Sequence, residues 1–233
     1  MNNMEAQLAA VAASYDAAIE AGRREGPDPY HNLPREITGD PDYEAYRLAE
    51  LEQTPSERPE IKAYLGPEPG MRFVDLGCCM NLMFRGYASW PSAYYGVDIS
   101  ARTIEALQGF VAQQGLTVGA LWCGRMDRTP FTDGFFDIAA CIGVLEYFEA
   151  EYVAAALAEM RRILRPQGRL VLDVPNLGDP ACRMMMRIEA YLGRPDRFDL
   201  PREAFERMLA EGFAIEQGDD LGATVQYFLR RRQ

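Results

Sequence analysis

The chain has 233 residues, 48% of them hydrophobic and 25% charged, with a net charge of −11, which is enough apolar material for a full domain core. The acidic balance excludes the clustered cations that nucleic-acid backbones and anionic membrane surfaces demand, so neither is expected as a partner. Five cysteines without CxxC spacing give no zinc-ribbon or thioredoxin pattern; they read as free thiols in a reducing, cytoplasmic setting, with no metal site.

The first stretch, "MNNMEAQLAAVAASYDAAIEAG", carries acids and lacks a basic leader region, so it is not read as a signal peptide. No apolar run reaches bilayer length. Leu8, Val11, Tyr15 and Ile19 fall at helical spacing, which predicts an amphipathic helix over residues 4–21 that ends near Gly22. "GPDPYHNLPREITGDPDYEAYRL" then reads as a loop followed by a short helix from about Asp42, and "TPSERPEIKAYLGPEPG" as a punctuated connector. Residues 1–60 are thus expected to form a helical cap or lid. The cluster of Tyr30, Tyr43 and Tyr46 either closes over a ligand or forms the core of that cap.

From Met71 short apolar runs alternate with amphipathic stretches. "RFVDL", "AYYGVDI", "TVGALW", "FFDIAACIG" and "RLVLDV" read as strands. Between them, "NLMFRGYASW", "SARTIEALQGFVAQQG" with a Ser100 cap, and "EAEYVAAALAEMRRILRPQG", stopped by Pro166 and Gly168, read as helices. The Met-rich "NLGDPACRMMMRIEAYLG" opens an insertion over residues 175–200 and reads as a pliable acceptor wall, a dimer helix or plain core. "PREAFERMLAEG" follows as a helix. "FAIEQGDD" and "ATVQYFLRR" close the chain as two strands joined at "GDDLG", with Arg230–Arg232 as a solvated end. The alternation predicts an α/β domain over residues 61–233: a doubly wound, mostly parallel sheet with helices on both faces.

In such a sheet ligands bind beyond the carboxyl ends of the strands, where the strand order reverses. "FVDLGCCMNLMF" puts a strand, a tight turn and a helix at that place, and Asp98 stands 21 residues after Gly77, the spacing of an acid that accepts from a ribose. A dinucleotide would need a glycine-rich cradle, and only Gly77 is present. Asp75, one residue before the turn, would repel a pyrophosphate but suits a ligand bearing an ammonium or sulfonium group.

On these residues the chain resembles the class I, seven-stranded, Rossmann-like S-adenosylmethionine-dependent methyltransferases. "DLGCCMN" matches the acid and first glycine of their first motif as Asp75 and Gly77, and departs from it at Cys79 and Asn81. "YYGVDIS", "CGRMDRTPFTDGFFDIAACIGVLEYF" and "MRRILRPQGRLVL" are similar to their later motifs, so the likeness runs over roughly residues 65–230. The resemblance implies strand order 3-2-1-4-5-7-6 with strand 7 antiparallel, and S-adenosyl-L-methionine as cofactor. It implies a cofactor site of Asp75, Gly77, Cys78, Cys79, Asn81, Asp98, Ile99, Met126, Asp127 and Cys141. In that site Asp98 meets the ribose and Ile99 the adenine, and the cysteines line the pocket as small apolar residues. Asn81, tolerant of positive φ, replaces a glycine. Asp127 or the backbone of Met126 stands in for the adenine-binding acid, whose place Arg125 occupies.

The implied reaction is methyl transfer to a small-molecule acceptor by in-line displacement, which needs alignment first and a base only if the nucleophile arrives protonated. His31, the only histidine, is a candidate general base on the cap. Tyr147, where relatives often carry histidine, is a candidate base or orienter, with an aromatic shelf as the plain alternative. Two rivals remain: a cofactor-binding or regulatory protein of the same fold without turnover, and a nicotinamide-dependent reductase. The sequence leaves a homodimer open.

Overall fold

The computed structural model describes residues 3–25, 33–53, 58–194 and 196–233. In chain order the helices and strands are α1 (Asn3–Glu25), α2 (Arg35–Thr38), α3 (Pro41–Gln53), α4 (Pro59–Leu65), β1 (Arg72–Leu76), α5 (Asn81–Phe84), β2 (Ala93–Asp98) and α6 (Ala101–Gln114). There follow β3 (Ala120–Cys123), β4 (Phe136–Cys141), α7 (Ala150–Ile163), β5 (Leu164–Pro175), α8 (Pro180–Tyr191), α9 (Arg202–Ala210), β6 (Phe213–Asp220) and β7 (Thr224–Arg231). The seven strands form one sheet in the order β3-β2-β1-β4-β5-β7-β6. Strands β1 to β5 pair in parallel, and β7 runs antiparallel to both β5 and β6, so the expected doubly wound architecture is present.

Because β1 is central, its side chains alternate between two buried faces. Phe73 points to one face, among Ile61, Leu65, Tyr87, Trp90 and Tyr94. Val74 and Leu76 point to the other, where Val153, Ala156 and Met160 of α7 cover the sheet. α1 lies against α6, and α3 against α8. Ile37, Tyr46, Met184 and Ile188 form a satellite core between these last helices. Tyr46 and Met184 therefore pack in this core, with Tyr43 and Met185 against it, while Tyr30 lies outside the described residues.

Four local expectations change for identifiable reasons. The connector after Arg58 contains α4: Pro59 sits in its first turn, Gly66 ends it at φ 51°, and buried Ile61 and Leu65 anchor it. "NLMFRGYASW" gives one helical turn, because Gly86 turns left-handed at φ 70° and a 3₁₀ turn then carries Tyr87 inward. α7 stops at Ile163, ahead of Pro166, because Leu164 is already extended and pairs with Phe136. Arg230–Arg232 are tied down: Arg230 pairs with Glu216 at 2.6 Å, Arg231 donates to the Leu164 carbonyl, and Arg232 donates to the Phe213 carbonyl at 2.9 Å. Ser100 behaves as read, accepting from the Thr103 amide at 3.0 Å to cap α6.

Phe73 is 0% exposed and meets the rings of Trp90, Tyr87 and Tyr94 at centroid distances of 4.8, 5.0 and 5.8 Å. Phe73→Ala is expected to cost about 3–5 kcal/mol in urea denaturation, with Phe73→Leu costing well under half of that. A loss below about 1 kcal/mol for the alanine variant would remove Phe73 from the structural core.

Candidate functional site

The site is built where β1 and β2 end side by side. The amides of Gly77 and Cys78 both donate to the Val97 carbonyl, at 2.8 and 2.9 Å. This reversal puts Gly77 at φ 69°, and a Cβ there would come within 2.4 Å of the Val144 side chain. Cys79 follows at φ 36°, and its amide donates to Asp98 Oδ2 at 2.8 Å. The positive φ expected at Asn81 thus falls on Cys79. Asn81 already belongs to α5, with its amide on the Cys78 carbonyl at 2.9 Å, so the change of hand has to occur before it.

Gly77, Cys79, Asp98, Ile99 and Met126 line one cavity that is open in part to solvent, about 560 Å³ with the solvent at its mouth included. Leu8, Val11 and Tyr15 of α1 form its roof, and Val144 and Tyr147 one wall. α1 is held there by polar ties as well as by its apolar face. Asp16 accepts from Ser100 Oγ at 2.6 Å and from the Arg102 amide at 3.1 Å, and Gln7 donates to the Tyr147 carbonyl.

Asp98 is 7% exposed, and its second oxygen accepts from the Ser100 amide at 2.8 Å. Burial pushes its carboxyl above the ordinary range in spite of these bonds. Backbone amides do not use all of the roughly four acceptor positions of a carboxylate, so Asp98 keeps capacity to accept from a ligand.

The other residues singled out from the sequence lie behind this surface. Asp75 is buried and accepts from Tyr94 Oη at 2.9 Å and from Asn81 Nδ2 at 3.4 Å. The thiol of Cys78 turns into the core against Gly96, and Cys141 is buried at the end of β4. Asp127 is gripped by Arg125 through two bonds of 2.9 and 2.5 Å, and the same guanidinium reaches Met4 of α1 at 3.5 Å. His31 lies outside the described residues. Among the described residues no group of three or more histidine, cysteine or acidic side chains is placed to hold a metal ion.

Tyr147 belongs to a chain of polar contacts at the cavity wall. Tyr15 Oη donates to Tyr147 Oη at 3.0 Å, which donates to Glu189 at 3.1 Å, and Arg194 Nε holds that carboxylate at 2.7 Å. Burial, reinforced by Glu146, Tyr15 and Glu189, raises the Tyr147 pKa well above its ordinary value, so the phenol keeps its proton near neutrality. Sequence reasoning missed Tyr15, Glu189 and Arg194 as members of the site. The apolar stripe of α1 was visible, but what it covers was not.

Comparison with known proteins places this geometry. A sequence model of the methyltransferase-domain family matches residues 74–172. The chain is 26% identical over 165 residues to the ubiquinone/menaquinone biosynthesis C-methyltransferase UbiE of Burkholderia cenocepacia, covering 67% of this chain and 65% of that protein. It thus spans a little under two thirds of the length of the curated relatives it matches. An uncharacterized 37.1 kDa protein of Streptomyces fradiae is 33% identical over 141 residues, or 58% of this chain and 40% of that one. Among solved structures, geranyl diphosphate C-methyltransferase of Streptomyces coelicolor A3(2) superposes with a TM-score of 0.69 at 19% identity, over 97% of both chains. The [4+2]-cyclase SpnF superposes at 0.64 with 18% identity, over 95% of both chains.

Two outcomes follow from this geometry. Gly77→Ala is expected to cost about 2 kcal/mol or more; about 1–2 of that is the left-handed backbone, and the rest is contact with Val144. Adding Val144→Ala should recover only the contact share, read as coupling in a double-mutant cycle of urea denaturation, and a strictly additive cycle would refute the close approach.

Burial pushes the Asp75 carboxyl up to about 7, against an ordinary value near 4. The folded chain then keeps a proton that the unfolded chain releases, so stability falls as pH rises from about 4 to about 7 and levels off outside that window. Asp75→Asn should flatten part of this slope in denaturation series from pH 4 to 8. An unchanged slope would mean that Asp75 is ionised throughout.

Proposed function

We propose that this chain is a class I, Rossmann-like S-adenosylmethionine-dependent methyltransferase that binds S-adenosyl-L-methionine and transfers its methyl group to a small organic acceptor, a reading supported by the methyltransferase-domain match over residues 74–172 and by the strand order. The observation that carries the reading is the use made of three consecutive amides. Gly77 and Cys78 donate to the Val97 carbonyl and Cys79 donates to Asp98, so the turn offers none of them to a pyrophosphate. A nicotinamide dinucleotide is disfavoured on that ground. An adenosyl compound with an amino-acid tail asks only for a narrow floor, which the absent Cβ of Gly77 provides, and for an acid at the ribose.

In this reading Asp98 accepts the ribose hydroxyls, Ile99 and Met126 flank the adenine, and Cys79 borders the sulfur-bearing chain. The bound cofactor supplies a methyl group on a positively charged sulfur. The remaining work belongs to the protein: Leu8, Val11 and Tyr15 keep water out, and the walls align the acceptor. Tyr147 keeps its proton and serves as a positioning residue, fixed between Tyr15 and Glu189. A small acceptor agrees with the names of UbiE and of geranyl diphosphate C-methyltransferase.

A second reading, a cofactor-binding protein without methyl transfer, is favoured by Cys79, whose side chain stands where the family usually has glycine, and by the fold likeness to a cyclase. Radiolabelled methyl transfer across a broad acceptor panel separates the two. The shared cofactor site is tested by titration calorimetry with S-adenosylhomocysteine. Asp98→Asn is expected to weaken binding about 10- to 100-fold, the scale of one or two charge-assisted hydrogen bonds, while the variant still melts cooperatively. Equal affinity in both proteins would remove Asp98 from the site.

A further inference from the structure

We infer that the phenol of Tyr15 meets the bound cofactor as a hydrogen-bond acceptor and not as a donor, and that its partner is the ammonium group of the amino-acid tail. The inference rests on the cofactor reading above and gives Tyr15, part of the roof, a direct contact with the ligand.

Tyr15 and Tyr147 both line the cavity, and each phenol has one proton to give. Glu189 is ion-paired with Arg194, through Nε at 2.7 Å and Nη2 at 3.4 Å, so its carboxylate can only accept. The 3.1 Å contact from Tyr147 Oη to Glu189 therefore uses the Tyr147 proton. Tyr147 has none left for its neighbour, and the 3.0 Å contact between the two phenol oxygens uses the proton of Tyr15. Tyr15 Oη is left with lone pairs only. Burial raises both phenols well above their ordinary pKa, so neither becomes a phenolate near neutrality. The Tyr15 ring is fixed as well: the Arg194 guanidinium lies over its face at 4.9 Å, and Tyr147 meets it edge-on with centroids 6.0 Å apart.

The tail of an S-adenosyl compound has two charged ends, an ammonium that only donates and a carboxylate that only accepts. An oxygen with no proton to give fits the first. The charge of the cavity points the same way. Among the described residues that line it there is no lysine or arginine, while Asp98 supplies an acid. Tyr152 is hydrogen-bonded to Asp127, and burial pushes the Cys79 thiol up to about 11, which leaves it uncharged. Cys79 lies near enough to Tyr15 to act on its titration, and in the proposed function it borders the sulfur-bearing chain. The tail and the Tyr15 phenol thus belong to the same end of the cavity. Tyr147 acts through Tyr15: by taking its proton, it sets which end of the tail the phenol can receive.

The test is titration calorimetry of the full chain at neutral pH. S-Adenosylhomocysteine is compared with two adenosine thioethers that keep one end of its tail, the 3-aminopropyl compound with the ammonium and the 3-carboxypropyl compound with the carboxylate. Tyr15→Phe is expected to weaken S-adenosylhomocysteine and the aminopropyl compound about tenfold or more, the scale of one charge-assisted hydrogen bond, and to leave the carboxypropyl compound within about twofold. Tyr147→Phe returns the Tyr15 proton to the cavity. It should strengthen the carboxypropyl compound relative to the aminopropyl one, a shift that mere loosening of the roof would not produce. Equal weakening of all three ligands in Tyr15→Phe, weakening of the carboxypropyl compound alone, or no weakening at all would overturn the proposal. So would an unchanged preference in Tyr147→Phe, or no binding of the aminopropyl compound to the parent. Should Tyr15→Phe fail to fold, the Tyr147→Phe arm decides alone. Failure of S-adenosylhomocysteine to bind the parent would sink the cofactor reading and this proposal with it, whereas the other negative outcomes leave that reading standing.

Discussion

One carbonyl oxygen organises the sheet edge that carries the cavity. Val97 O receives two successive amides from the turn after β1, and the next residue, Asp98, receives the third. These bonds lock the ends of β1 and β2 together, extending the register in which Leu76 faces Val97. They also place Asp98 against the start of α6 through the Ser100 amide. The floor of the cavity, the acid at its rim and the first turn of α6 are consequences of one backbone arrangement. Side-chain identity matters there mainly at Gly77, whose missing Cβ leaves room for Val144.

The same arrangement explains how the turn tolerates two cysteines. A turn that cradled phosphates would need several glycines, so that backbone could approach the ligand and present its amides. Here the protein itself takes up those amides, and only one close approach remains, at Gly77. Cys78 can then face the core beside Gly96, and Cys79 can hold a left-handed φ that its hydrogen bond to Asp98 helps to enforce. A non-glycine residue in that region is strained, and such strain persists where surrounding bonds over-determine it.

The sheet was legible because its strands are buried on both faces, so their apolar runs stand out between turn residues; "RFVDL" is β1 without adjustment. Helix ends were less so. Leu164 leaves α7 because a β4 partner is waiting, a tertiary pairing that no local pattern contains, and α4 was hidden by prolines that in fact start it. Within the site, Gly77 and Asp98 could be picked out because their spacing along the chain brings both to the adjoining ends of β1 and β2, where they line the cavity. Tyr15, Glu189 and Arg194 could not, since they meet only after α1 and the segment following α8 fold over the strand ends. Asp173 was visible as an acid inside an apolar strand, but its meaning depends on Gly143 and Glu146.

Reading the buried acids by what answers them shows how the fold settles charge around the cavity. Asp98, at the rim, is held by backbone amides, and Asp75, behind the turn, by a tyrosine and an asparagine, so their charge or proton is accommodated within the protein. Beside Tyr147, Glu189 is engaged by Arg194 and by the phenol. Behind the lining, burial pushes the carboxyls of Glu146 and Asp196 up, Asp196 to about 7, against the pull of Arg194 on Asp196. A proton then offsets part of the cost of leaving both Asp196 oxygens without a hydrogen bond. Backbone amides, a guanidinium and retained protons are thus three ways in which one fold meets the same requirement, that a buried carboxyl not stand as a bare charge.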